Sequence, residues 1–258
     1  MGKLKNKTDT GAAGPRIICI SSGKGGVGKT SISVNLAAAM AQAGQRVLLV
    51  DGDLGLANVD IVLGINAKHT MREVVEGGLP LNDVLVKIMP GFSVLPASSG
   101  VPEMASLAYE DQAYLTDALE NIINDFDYVL LDTAAGIGDS VLWLNQWAAE
   151  NYIIMSPDPT SMTDAYALIK VLHQKYDKSL FQLVINSVKS KREGHEVFAS
   201  IAAVLNKFLQ VSPELLGIIP QDNNVSQAIR FQKPFLLSTP DAKASKAIRQ
   251  LSQAVFDS

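Results

Sequence analysis

Residues 21–31 read SSGKGGVGKTS, and within them Gly23, Gly28, Lys29 and Thr30 stand at the spacing G-x-x-x-x-G-K-[ST]. Glycines so placed let successive backbone N–H groups curl round phosphate oxygens, the lysine neutralises charge, and the hydroxyl reaches magnesium. Gly23, Lys24, Gly25, Gly26, Val27, Gly28, Lys29, Thr30 and Ser31 are therefore the candidate phosphate-binding residues. The loop also holds a second lysine, Lys24, which phosphate binding alone does not require.

A metal bound with a nucleotide needs carboxylates as well. Asp132 closes the apolar run YVLLD at 128–132, and a strand that delivers an aspartate beside a phosphate loop supplies the second half of a magnesium site. A turn-capping aspartate is the competing account. Asp51 ends another apolar run, RVLLVD at 46–51, and is expected behind the metal, which makes Thr30, Asp51 and Asp132 the metal set. Asp53, two residues on, is the candidate for orienting an attacking water, against a purely structural loop aspartate. Asn58 and Asp60 carry less weight, because an asparagine ahead of a helical pattern commonly serves as a cap. Behind Asp132, the segment TAAGIGD carries Gly136 and Gly138. Their backbone freedom suits a loop that responds to the arrival or loss of a γ-phosphate.

Strand, loop and helix must follow in that order to position these groups. RIICI at 16–20 reads as a buried strand, and Ile32, Leu36, Ala39, Met40 and Ala43 predict a helix with one apolar face behind Lys29. The positive end of that helix would add to the anion site. Further apolar runs, FSVLP 92–96, NYIIM 151–155, FQLVI 181–185 and LLGII 215–219, alternate with helical patterns. Strands this apolar are covered on both faces. The predicted fold is therefore α/β, a three-layer α/β/α arrangement with a mostly parallel central sheet. Ligands on such sheets gather at the carboxyl ends of the strands.

The 258 residues, 47% hydrophobic, suffice for one large core, and the sequence offers no obvious linker, so residues 16–258 are expected to form one domain behind a flexible tail at 1–15. A net charge of −4 gives no global pull towards nucleic acid or anionic membrane. The single cysteine, Cys19, excludes an intrachain disulfide framework and a cluster held by several cysteines of one chain, and it fits a reducing cytoplasm. No apolar run approaches the ~18–20 residues of a membrane span, and the first residues lack the apolar segment of a signal peptide. His69, His173 and His195 show no ligand spacing, so magnesium is the one metal expected. Trp143 and Trp147 are expected in the core or at a subunit face.

GKGGVGKT, DGDLGLANVD and DTAAGIGDS together closely resemble the MinD/ParA family of ATPases, whose phosphate loop carries an extra, signature lysine. LGLANVD, DTAAGI and PTSMTDAYALIK at 159–170 resemble its FlhG (FleN) branch, the regulators of flagellar number. The similarity runs from about Ile17 to the C-terminal helix. It implies ATP and Mg²⁺ as cofactors, hydrolysis of ATP to ADP and phosphate, and a homodimer in the ATP-bound state. By the same resemblance Lys24 crosses that dimer to the partner's phosphates, while Lys29 serves its own nucleotide and Asp53 completes the catalytic set. Asn186 and the segment IPQD, with Pro220 and Asp222, are implied in adenine recognition; a turn-forming asparagine is the alternative. Implied partners are proteins of flagellar assembly or transcription control. The implied location is cytoplasmic, with peripheral attachment at the inner membrane or cell pole left open.

Two departures narrow this. The N-terminal tail lacks the D-Q-A-x-x-L-R pattern with which FlhG proteins activate a partner GTPase. The last helical pattern, with Ala244, Ala247, Ile248, Leu251, Ala254 and Val255 opposite Lys243, Lys246 and Arg249, suits a protein core at least as well as a bilayer. The competing functions are a ParA-like DNA partition or cargo-positioning ATPase, which needs a basic surface, and an ATP-dependent metabolic synthetase. An iron–sulfur reductase would need two cysteines from each subunit. KSKREG at 189–194 is expected to be a solvated loop, with a nucleic acid or protein contact as the sharper alternative.

Overall fold

The computed structural model describes residues 14–105 and 107–258. The expected tail therefore lies, up to residue 13, outside the described residues. The first half of the chain runs β1 (Arg16–Ser22), α1 (Lys29–Gln42), β2 (Val47–Gly52), α2 (Val59–Leu63), α3 (Met71–Gly77), α4 (Leu81–Val84), β3 (Val86–Met89) and β4 (Phe92–Leu95). It continues with α5 (Pro102–Ala105), α6 (Tyr109–Glu120), β5 (Tyr128–Ala135), α7 (Asp139–Trp147), β6 (Glu150–Met155) and α8 (Pro159–Tyr176). The last part contains β7 (Phe181–Val188), α9 (Lys191–Leu209), β8 (Glu214–Pro220), α10 (Asn223–Arg230), α11 (Phe235–Ser238) and α12 (Lys243–Asp257).

The strands form one eight-stranded sheet in the order β3-β4-β2-β5-β1-β6-β7-β8. All neighbours are parallel except β3, which pairs antiparallel with β4 at one edge. The sequence reading missed β3, because VKIM carries no long apolar run: its residues are only partly buried on an edge. The helices cover both faces, as the apolar strands require. Residues of α1, α2, α11 and α12 pack on one side around Ile18, Ile20 and Leu49. On the other side α3, α4, α6 and α7 pack around Leu48, Val50 and Leu131, and α8 and α9 around Ile153, Leu183 and Ile185.

The helix behind the loop differs from its expected form. α1 is buried almost all round, including Ser31, Ser33 and Asn35, and it stops at Gln42, leaving Ala43 exposed. It is covered by the sheet beneath it and by α2, α11 and α12 around it, so no polar face is needed. The polar residues on it are held by specific bonds instead. Asn35 donates to the Ser31 carbonyl at 2.7 Å and accepts the Leu236 N–H at 2.8 Å.

The stripe of α12 is spent inside the protein: Ala244, Ala247, Ile248, Leu251 and Val255 are buried. Arg16 fastens the far end of this helix by donating to the Val255 carbonyl at 2.6 Å and to Ser258 Oγ at 2.9 Å, while two of its nitrogens hold Glu150. Among the described residues no helix is long and apolar enough to cross a membrane.

Candidate functional site

Sheet order assembles the site. β5 lies between β1 and β2, with Ile20 opposite Asp132 and Asp51 opposite Asp132 in the register. The loop that leaves β1 therefore rises beside two carboxylates, one from each strand on that side.

Glycine chemistry shapes the loop. Gly26 and Gly28 adopt φ of 77° and 92°, a region that L side chains avoid. A Cβ on Gly23 would collide with the backbone of Asp164 and Ala165 in α8, and one on Gly28 with the Asn186 amide. Gly28 stands at the N-cap of α1, and no side chain caps the helix there. The first N–H groups of α1 thus point outward without a capping partner, which is the condition for binding an anion at a helix start.

Lys29 is 8% exposed and Asp132 is 1% exposed. Lys29 Nζ lies 3.0 Å from Asp132 Oδ1, which also accepts from Ser33 Oγ at 2.8 Å. The other oxygen, Asp132 Oδ2, is buried without a hydrogen-bond partner, and so is Ser31 Oγ. Buried polar atoms left unpaired are rare and costly. A magnesium–nucleotide complex brought to this loop would supply partners at both atoms, with Thr30, half-exposed beside them, as a further oxygen donor. The residues present fit that group.

Asp51 stands opposite Asp132 in the register and is held by backbone N–H groups. Its Oδ1 accepts the Asp53 N–H at 3.2 Å, and its Oδ2 accepts the N–H groups of Asn58 at 3.2 Å and Val59 at 3.1 Å. Burial, reinforced by repulsion from Asp132, pushes its pKa up to about 8 despite these bonds. Asp51 therefore ties down the loop that bears Asp53. It also caps α2 in place of Asn58, whose side chain donates to the Leu56 carbonyl instead. Asp53 itself is half-buried, and its Oδ1 accepts the Leu56 N–H at 3.3 Å. Burial raises its pKa, with Lys29 pulling the other way.

Behind the loop lies a cleft of about 410 Å³ lined by Gly26, Val27, Gly28, Ser31, Asn186, Pro220, Asp222 and Phe235, among others. Asn186 donates one N–H to the Val27 carbonyl at 2.7 Å. Its amide thus braces the loop and lines the cleft at once. Asp222 faces the cleft too, but its oxygens accept the N–H groups of Asn224 at 3.0 Å and Ala244 at 3.1 Å. Its carboxylate is a joint between α10 and α12.

Lys24 does not line this cleft. Its ammonium donates to Asp158 Oδ2 at 3.1 Å and to the Thr160 hydroxyl, at the N-cap of α8. Thr160, followed by Lys24, holds the Asp158 carboxyl down at about 2. Sequence reasoning did not single out Asp158 or Thr160, although Asp-Pro-Thr is a legible helix start, with an N-cap acid and proline at the first turn. It also missed Ser33, hidden as one more residue of a helical run. The segment behind Asp132 is anchored to the loop strand, with the Gly136 N–H donating to the Ser22 carbonyl at 2.9 Å and Gly136 at φ 92°. α7 follows it directly. Trp143 and Trp147 of that helix pack partly buried against the core, and Trp143 Nε1 donates to Thr116 of α6 at 3.3 Å.

A buried strand, a glycine loop opening a helix, and an acid on the neighbouring strand beside the loop lysine define a P-loop nucleoside triphosphatase. The chain belongs to the ParA/MinD family of these proteins: the ParA model, NUBPL iron-transfer P-loop NTPase, matches residues 15–256. The antiactivator FleN of Pseudomonas aeruginosa is 42% identical over 93% of this chain and 86% of its own length. The flagellum site-determining protein YlxH of Helicobacter pylori is 32% identical over 92% of this chain and 80% of its own. The MinC:MinD cell division complex of Aquifex aeolicus superposes with a TM-score of 0.77 at 28% identity, covering 94% of this chain and 96% of that one.

Proposed function

We propose that the chain is an ATP-dependent, dimerising regulatory switch of FlhG (FleN) type, which binds proteins of flagellar assembly or transcription control according to its nucleotide state. The observation that carries this reading is the division of labour between two lysines of one loop. Lys29 is buried inside its own cleft against Asp132, while Lys24 sits on the outer turn and reaches away from the cleft. A cation facing outward beside a phosphate site has the position needed to act on a second subunit. Leu56 and Ile137, both exposed, lie at the neighbouring strand ends and give a second subunit apolar surface to cover. The 42% identity to the antiactivator FleN and the 32% identity to a flagellum site-determining protein support the choice of branch.

In this reading the N–H groups of the loop and Lys29 hold the phosphates, Asn186 and Pro220 border the adenine, and Asp53 orients the attacking water. Magnesium, held by Thr30 with Asp132 and Asp51 behind it, would neutralise charge on the transferring phosphate. Lys24 of each subunit leaves Asp158 to stabilise the transition state of the other, as an arginine finger does. Iron transfer by surface thiolates is not part of the proposal, because Cys19 is fully buried in β1 and burial pushes its thiol up to about 12.

Sedimentation velocity is the test. The chain should sediment as a monomer with ADP and as a dimer with ATP and magnesium, and Asp53→Ala should prolong the dimer while slowing turnover. A monomer under every nucleotide condition would overturn the proposal.

A further inference from the structure

β8 is the strand at one edge of the sheet, and among the described residues the ladder side facing away from β7 has no strand beside it. A groove of about 300 Å³ passes over this edge, from the start of α9 on one face to the start of α12 on the other. Ile218, Pro220 and Ala247 give it an apolar floor, and Lys191, Lys243 and Lys246 line it as well. None of these lysines forms an ion pair among the described residues.

Among the described residues no ion pair answers the positive charge here. Lys191 and Lys243 are the first residues of their helices, where the macrodipole disfavours cations, and α12 has no acid in its first turn. Of the acids near these helix starts, Glu193 accepts the Lys189 N–H at 2.5 Å and Asp222 the Ala244 N–H at 3.1 Å, while Asp241, exposed two residues before Lys243, forms no ion pair with it. In a chain of net charge −4 this is a concentrated exception. Pro220 also lines the nucleotide cleft, so groove and cleft share a wall.

We infer that this groove is a docking site for an extended acidic segment of a partner protein, which pairs with the open edge of β8, sets an apolar side chain on Ile218 and Pro220, and places carboxylates among Lys191, Lys243 and Lys246. Charge complementarity calls for an anion. The apolar floor and the open strand edge choose a polypeptide over a phosphodiester or a bilayer, because main-chain pairing plus a side-chain pocket is how an added strand is recognised.

The probe is a fluorescein-labelled hexapeptide of alternating glutamate and valine, titrated with the full chain and followed by anisotropy at low salt. It should bind, weaken as salt rises, and weaken by about tenfold for the double variant Lys191→Glu/Lys246→Glu. ATP turnover and the melting temperature of that variant should stay at parental values. A peptide with N-methylated backbone should also lose binding, which separates strand pairing from charge alone. The lysine–valine counterpart should not bind. The inference is overturned if the acidic peptide fails to bind at millimolar concentration or binds both proteins equally. It is equally overturned if the lysines serve instead to hold a 30-base-pair duplex or phosphatidylglycerol vesicles, assayed in parallel.

Discussion

At the residue scale the loop separates two lysines that look alike in a motif. Lys29→Ala should abolish nucleotide binding in titration calorimetry and also destabilise the free protein. Asp132 would be left buried without its cation, a change that typically costs about 3–5 kcal/mol, visible as a lowered thermal midpoint. Lys24→Ala removes an ion pair that solvent screens and a hydrogen bond to Thr160, so the thermal midpoint should stay near the parental value and ADP affinity should hold. Its ATP turnover should fall by about 10³-fold, the scale of a missing arginine finger; parental turnover would show that the pair with Asp158 is all that Lys24 does. The meeting of Lys29 and Asp132 was legible in sequence because spacing within one loop and the end of one apolar strand place them. The resting place of Lys24 was not, because Asp158 lies 134 residues away and only the parallel packing of β6 on β1 brings it near. Asp51 was half legible: its place at a strand end was readable, its three backbone bonds were not.

At the element scale, the site depends on a helix start that must remain uncapped. Gly28→Ala would force a side chain into φ 92° and against Asn186, which costs about 1–2 kcal/mol in strain alone and should remove ADP binding while circular dichroism still reports a folded chain. The segment between β5 and α7 is tied to β1 through Gly136, so cleavage within residues 133–138 should differ between ADP and a non-hydrolysable ATP analogue. Identical fragment patterns would argue that this segment ignores the γ-phosphate. Seven of the eight strands were readable as apolar runs, six because they are largely buried and the edge strand β8 because LLGII is apolar despite its partial exposure, whereas the edge strand β3 carries no such run. The apolar face assigned to α1 is buried except for Ala43, but periodicity assumes one wet side and so did not show that the rest of this helix is almost wholly buried as well.

At the scale of the whole molecule, Arg16 joins the first strand, the start of β6 and the end of α12 through Glu150, Val255 and Ser258. Arg16→Ala should lower stability by about 1–2 kcal/mol, read as a fall of about 3–6 °C in a thermal melt; an unchanged melt would mean that α12 is held by its apolar stripe alone. The layered architecture was recoverable from the sequence because alternating strand and helix patterns admit few arrangements, whereas the groove beside β8 was not, since its lysines come from segments that the sequence keeps far apart. The helix α7 has a practical use. The chain contains two tryptophans, and both belong to α7, the helix that begins where the segment behind Asp132 ends. All indole emission from the described protein therefore originates in one helix, with one ring hydrogen-bonded to the neighbouring α6. Unlabelled protein, excited selectively at its indoles, carries an optical readout of its own, reporting in real time whether α7 has changed its surroundings as nucleotide is exchanged.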